Sequence, residues 1–184
     1  MVDRQAPAVQ NPCPMIESVF MSALMAGLPV GIVAYLLVWW SLRQGYLGEA
    51  STFKDVENEV KVRKKDKEKS KASDPVHRKW LSLGGGFYGV VALITLVWIE
   101  IGEVMDFLSN FEGIGPFVRS LSVSFFVGLI IETIMNTITA LVWPLYWLSS
   151  IRTPHPWIWF VVAYAGYWAG SSLAIQRFRD GEAA

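Results

Sequence analysis

Four long apolar stretches punctuate this chain, at residues 16–41, 80–102, 117–148 and 156–176. In the first, residues 19–40 are 22 consecutive positions without a charge. A helix rises about 1.5 Å per residue, so that length crosses a hydrocarbon core of about 30 Å. Trp39 and Trp40 close it as an interfacial belt, and Pro29 near its middle predicts a kink. The second stretch is charge-free over 81–99. It opens on Gly84, Gly85, Gly86 and Gly89 and meets Glu100, Glu103 and Asp106 at its far end. The third is uncharged over 120–151 except at Glu132. Its 32 residues exceed one perpendicular span, and Pro144 offers a break. A helix over 117–142 is expected there, with 143–148 at the interface or continuing as a bent end; a re-entrant hairpin is the alternative. Trp157 and Trp159 open the fourth stretch, and Arg177 and Arg179 follow it.

This pattern predicts an all-α polytopic membrane protein, a four-transmembrane-helix bundle with a charged cytoplasmic loop between helices 1 and 2. The expected order is an external tail (1–15), helix 1 (16–41), a basic, partly helical cytoplasmic loop (42–79) and helix 2 (80–102). An external acidic loop (103–116), helix 3 (117–148, broken near Pro144), a short cytoplasmic loop (149–155), helix 4 (156–176) and a C-terminal tail (177–184) complete it. Composition agrees: 53% of residues are hydrophobic and 17% charged, against about 25% charged in a typical soluble domain. An ordinary globular domain, a disordered chain and a disulfide scaffold are all excluded.

Charge placement sets the expected orientation. Eleven of the 16 Lys and Arg residues lie from Arg43 to Lys79, which assigns that loop to the cytoplasmic side of a membrane, read as the bacterial inner membrane. The second loop carries Arg119 beside Glu100, Glu103, Asp106 and Glu112 and should face outside. Four alternating spans then place both termini outside, although Arg177 and Arg179 sit awkwardly there. A net charge of zero gives no reason to expect a nucleic-acid partner. Cys13 has no second cysteine to pair with and reads as an inert residue of a Pro-rich tail, and no cleavable signal peptide is expected.

Within the cytoplasmic loop, Phe53, Val56 and Val60 recur at helical spacing, a stripe that could dock a partner helix. The basic segment 61–79 could rest on anionic lipid headgroups, at about 1 kcal/mol per basic residue near the surface. Asp55, Glu57, Glu59, Asp66 and Glu68 dilute that attraction, and a solvated linker is the other reading.

Polar groups inside the spans are the candidate chemistry, because an ionisable residue there costs at least about 2.5–3.5 kcal/mol. Glu132 is near mid-span, and Asn136 and Thr139 follow at i+4 and i+7 on the same helical face. Ser124 and Gly128 extend that row, and Thr133 and Thr137 form an adjacent one. Three readings compete for Glu132: a protonated interhelical hydrogen bond, an ion or proton site, and a ligand or lipid pocket. Glu100, Glu103 and Asp106 share one arc and read as an acidic helix end rather than a cation site, with Arg119 a candidate partner for Glu100.

Small residues line three helices: Ala23, Gly27 and Gly31 in the first, Gly85 and Gly89 in the second, and Gly166, Gly170 and Ala174 in the fourth. Such stripes allow close backbone approach. His77 and His155 lie outside the spans with no nucleophile, acid or metal partner at a recognisable spacing, so no catalytic residue, metal or cofactor is expected. The function expected is a non-catalytic accessory, scaffolding or assembly subunit, packing against other membrane-protein subunits and the lipid bilayer. The alternative is a small oligomeric transporter or channel with its intramembrane site at Glu132.

Overall fold

Pro29 shapes the first span. Its nitrogen offers no hydrogen to the carbonyl of Met25, and its ring crowds that carbonyl. The computed structural model, which describes residues 14–48, 50–65, 74–111, 113, 122–151 and 155–182, shows the response. Helix α1 (Pro14–Ser22) widens into a five-residue π-helical turn (Ala23–Gly27), in which the Leu28 N–H reaches back to the Ala23 carbonyl, and continues as α2 (Leu28–Arg43). The expected kink is thus taken up as a π-turn just ahead of the proline.

Two shorter helices follow, α3 (Phe53–Lys65) and α4 (Pro75–Ser82), and then α5 (Gly86–Ser109). Helix 2 had been expected as one span over 80–102. Instead α4 and α5 meet at 110°. Gly84, Gly85 and Gly86 sit between them at φ of +118°, +65° and +55°, a left-handed path that L side chains resist. Trp80 therefore belongs to the short helix before the bend. Helix α5 also runs on through Glu103 and Asp106 to Ser109, so residues 103–109 of the expected acidic loop are helical.

The remaining elements are α6 (Val123–Leu141), α7 (Trp143–Ser150) and α8 (Pro156–Glu182). All regular elements among the described residues are helices. Three stretches are long and apolar enough to cross a membrane: Ser18–Arg43, Val123–Leu141 and Pro156–Gly181. The bent α4–α5 pair makes a fourth if counted as one broken span. Cys13, Glu112, Arg119, residues 66–73 of the basic segment and residues 117–121 of the third stretch lie outside the described residues.

The central contact joins α2 to α8. A methyl added at Gly27 would meet Val162, and one at Gly31 would meet the Gly166 carbonyl at 3.1 Å. A methyl at Gly166 or Gly170 would run into the carbonyl of Gly27 or Gly31, respectively. Both registers advance together, so α2 and α8 run parallel. In four alternating spans the first and last are antiparallel, so this packing does not fit the expected placement of both termini on one face.

The chain doubles back on itself around Pro144. Helix α6 meets α5 with Asn136 beside Glu100 and Glu103, and reaches Tyr88 with the Leu141 carbonyl. Then α7 retraces α5: Trp143 packs on Phe87 and Tyr88, and Trp147 donates its indole N–H to Thr95 and meets Trp98. The reversal falls at Val142, with Pro144 in the first turn of α7, where its missing N–H costs nothing.

Helices α3 and α4 fold back onto the bundle. Val56 and Val60 are buried, Val60 lies against Gly85, and the Phe53 ring meets Tyr167 at 5.5 Å. The apolar stripe of the basic loop therefore docks on its own chain rather than on a partner helix.

Candidate functional site

Asn136 is the polar residue that α6 buries, at 8% exposure. Its amide nitrogen donates to Glu103 Oε1 at 2.8 Å and to Glu100 Oε1 at 3.5 Å. Both carboxylates come from the outer part of α5, an acidic helix face that sequence alone read as water-facing. Arg119, the partner considered for Glu100, lies outside the described residues.

Glu132 is not part of that contact. It stands exposed at the midpoint of α6 and makes no hydrogen bond or ion pair among the described residues. Thr139 is half-buried, and neither it nor Glu132 bonds Asn136. The three-residue row predicted from helical spacing thus splits: one member pairs within the chain, and one faces outward. Of the adjacent row, Thr133 bonds back to the Leu129 carbonyl and Thr137 accepts from Lys79 Nζ at 3.5 Å. Among the described residues, no three His, Cys, Asp or Glu side chains converge as a metal site.

The small-residue positions have different fates. Gly27, Gly31, Gly166 and Gly170 form the α2–α8 contact, and Ala174 is fully buried further along α8. Ala23 sits exposed in the π-turn. Gly85 is no helix-face residue at all. It caps α5 from the left-handed turn, and a methyl there would strike Val60 at 2.6 Å. Gly89 admits Trp80, whose carbonyl would lie 2.8 Å from an added methyl. Gly85 and Gly89 therefore pack against the short helices α3 and α4 rather than against another span.

A second polar constellation lies where the loop meets the bundle. Asp74 precedes Pro75, a cap residue followed by the residue best suited to a first turn. Its Oδ1 accepts from the amides of Val76 at 2.9 Å and His77 at 3.0 Å, while Oδ2 accepts from the Trp40 indole at 3.1 Å. His77, 1% exposed, lies between the rings of Tyr46 and Trp80, and its Nδ1 is 2.9 Å from Ser41 Oγ. Its Nε2 is buried with no hydrogen-bond partner among the described residues.

Burial pushes the His77 imidazole down to about 4; the Asp74 charge opposes this and the Arg63 charge adds to it. At Asp74 burial favours the neutral form, yet the His77 amide, the Trp40 indole and the Val76 amide outweigh it and hold the carboxyl below its usual range. Serine, histidine and aspartate meet here, but the serine is fully buried and touches the ring nitrogen on the wrong side for a nucleophile–base pair. The geometry is that of a latch tying α4 to the end of α2. Sequence reasoning read His77 as an ordinary loop histidine; the Asp74–Pro75 cap was the legible signal beside it. No family model, curated protein or solved structure matches the chain.

Proposed function

We propose that this chain is a non-catalytic integral membrane protein that serves as an accessory or assembly subunit of a larger membrane complex, using the outer face of α6. One observation carries the reading. Only 6% of the membrane-length window of α6 is buried within the chain, and Glu132 stands exposed in the middle of it. Lipid satisfies the apolar side chains of such a helix but not a carboxyl group, which costs at least about 2.5 kcal/mol at mid-span. A neighbouring helix that presents a hydrogen-bond donor removes that cost. Asn136, the second residue a conducting path would need, is already engaged by Glu100 and Glu103.

In the orientation we favour, the loop 42–79 lies on the cytoplasmic side of a bacterial inner membrane, where anionic lipid can meet its basic residues. The parallel α2 and α8 then carry the C-terminal end to the same side. Arg177 and Arg179 join the eleven basic residues there, in accord with the positive-inside rule. An odd number of crossings then separates an external N-terminal end from a cytoplasmic C-terminal end.

The test is extraction of the wild type, Glu132→Gln and Glu132→Leu from the native membrane in a mild detergent, with the size of each complex measured. The wild type should run with stoichiometric partners, Gln should keep them, and Leu should release them. A monomer or small homo-oligomer for the wild type would refute the reading and shift attention to transport through Glu132.

A further inference from the structure

The pairing of α4 with the end of α2 leaves more than a latch. Beside it runs a groove of about 460 Å³, with Leu36, Trp39 and Trp40 of α2 along one side and Asp74, Pro75 and Val76 at the start of α4 along the other. Its walls are almost wholly apolar. Leu36, Trp40 and Val76 stand 53%, 44% and 54% exposed, so no part of the described chain covers them. The volume falls in the range of sites that hold small organic ligands, about 300–1,000 Å³.

The place of the groove along the chain says which molecules meet it. Trp39 and Trp40 end the first apolar stretch, and indoles at such an end sit at the level of lipid headgroups, with acyl chains on one side and water on the other. Arg43, the last residue of α2, holds its guanidinium over the Trp39 ring, 5.1 Å from the centroid. It is exposed and has no carboxylate partner among the described residues. Arg78 of α4 is exposed as well. Asp74, the one acid lining the groove, has both oxygens engaged by the Val76 and His77 amides and the Trp40 indole, so it repels an incoming anion less than a free carboxylate does. An apolar trough with an unpaired cation beside it, at the edge of the hydrocarbon, is complementary to an amphiphile with an apolar tail and an anionic head.

We infer that this groove binds an anionic glycerophospholipid, with one acyl chain lying between α2 and the start of α4 and the headgroup phosphate paired with Arg43. A guanidinium suits that role, because its planar fork makes charge-assisted hydrogen bonds to two phosphate oxygens at once. Seated there, the lipid also shields the Trp40–Asp74 hydrogen bond, the exposed part of the latch, from water. The inference rests on the membrane reading of the chain and not on its assembly with partners.

The experiment uses the full-length protein, delipidated in a neutral detergent and titrated with dioleoyl phosphatidylglycerol or dioleoyl phosphatidylcholine, with bound lipid counted by native mass spectrometry. One phosphatidylglycerol should bind about five-fold more tightly than phosphatidylcholine, the effect of one charge at the membrane surface. Arg43→Gln should remove that preference. Val76→Trp fills the groove from an exposed position and should abolish one-equivalent binding of either lipid. Lys64→Gln, at an exposed position of α3 that does not line the groove, should change nothing. All three replaced side chains are exposed, and helical circular dichroism checks that each variant keeps its fold. Equal affinity for the two lipids, or retention of the lipid by Val76→Trp, would overturn the inference. So would a loss in Lys64→Gln as large as that in Arg43→Gln, which would mark diffuse attraction to the basic loop. The isolated chain suffices, so failure of the subunit reading leaves this result legible.

Discussion

Replacing Gly170 by alanine tests the parallel α2–α8 contact at one of its two tightest points, the other being Gly166. The new methyl would press on the Gly31 carbonyl, with the carbonyl carbon at 2.9 Å, where ordinary contact begins at 3.4 Å. The obstacle is backbone, so no rotamer change relieves it and the two helices must part. Overpacking of this kind costs about 1–3 kcal/mol, whereas removing a glycine from a helix interior returns about 0.5–1 kcal/mol. A net loss of about 0–2.5 kcal/mol is expected, centred near 1 kcal/mol. Gly31→Ala meets the Gly166 carbonyl at 3.1 Å and should lose less, and Gly128→Ala in α6 meets nothing within 4 Å and should be neutral or slightly stabilising. The assay is reversible unfolding in mixed micelles, titrated with dodecyl sulfate and followed by helical circular dichroism. The order expected is Gly170→Ala least stable, then Gly31→Ala, then Gly128→Ala. Equal stability of Gly170→Ala and Gly128→Ala would refute the contact.

Two further outcomes follow from the latch and from the helix directions. His77 titrates at about 4 when folded and near 6.5 when free, so the unfolded state binds more protons between those values. The latch should therefore be at full strength above pH 6.5 and weaken as pH falls toward 4, seen as faster amide exchange in α4; His77→Phe should flatten that profile. In a Cys13→Ser background, Gly181→Cys should react with an impermeant maleimide from the same side of sealed vesicles as Lys64→Cys. Labelling from opposite sides would show that α8 does not cross in the sense of α2.

The apolar stretches and their helical character are legible in the sequence because insertion into lipid is decided segment by segment. Some twenty uncharged residues with their backbone hydrogen bonds satisfied internally suffice. The same holds for local signals: Asp74 ahead of Pro75 marks a helix start, three successive glycines permit a left-handed turn, and Pro144 marks a break. The size of the α4–α5 bend is not legible, since it is set by Trp80 seating against Gly89 and Val60 against Gly85.

The candidate site was legible in part. Helical spacing put Glu132, Asn136 and Thr139 on one face, but spacing is silent on what stands opposite. Only the tertiary structure brought Glu100 and Glu103 to Asn136, and left Glu132 outside that contact. It alone joined Ser41 to His77, 36 positions apart, and set Trp40 and Val76 along one groove. Helix direction belongs to the same class. Stripes of small residues say that helices approach closely, and they fit parallel and antiparallel partners alike. Hydropathy and capping are properties of a segment and its solvent, so the sequence determines where helices form. Which faces meet, and in which sense, depends on contacts between residues far apart in the chain, and only the folded molecule decides those.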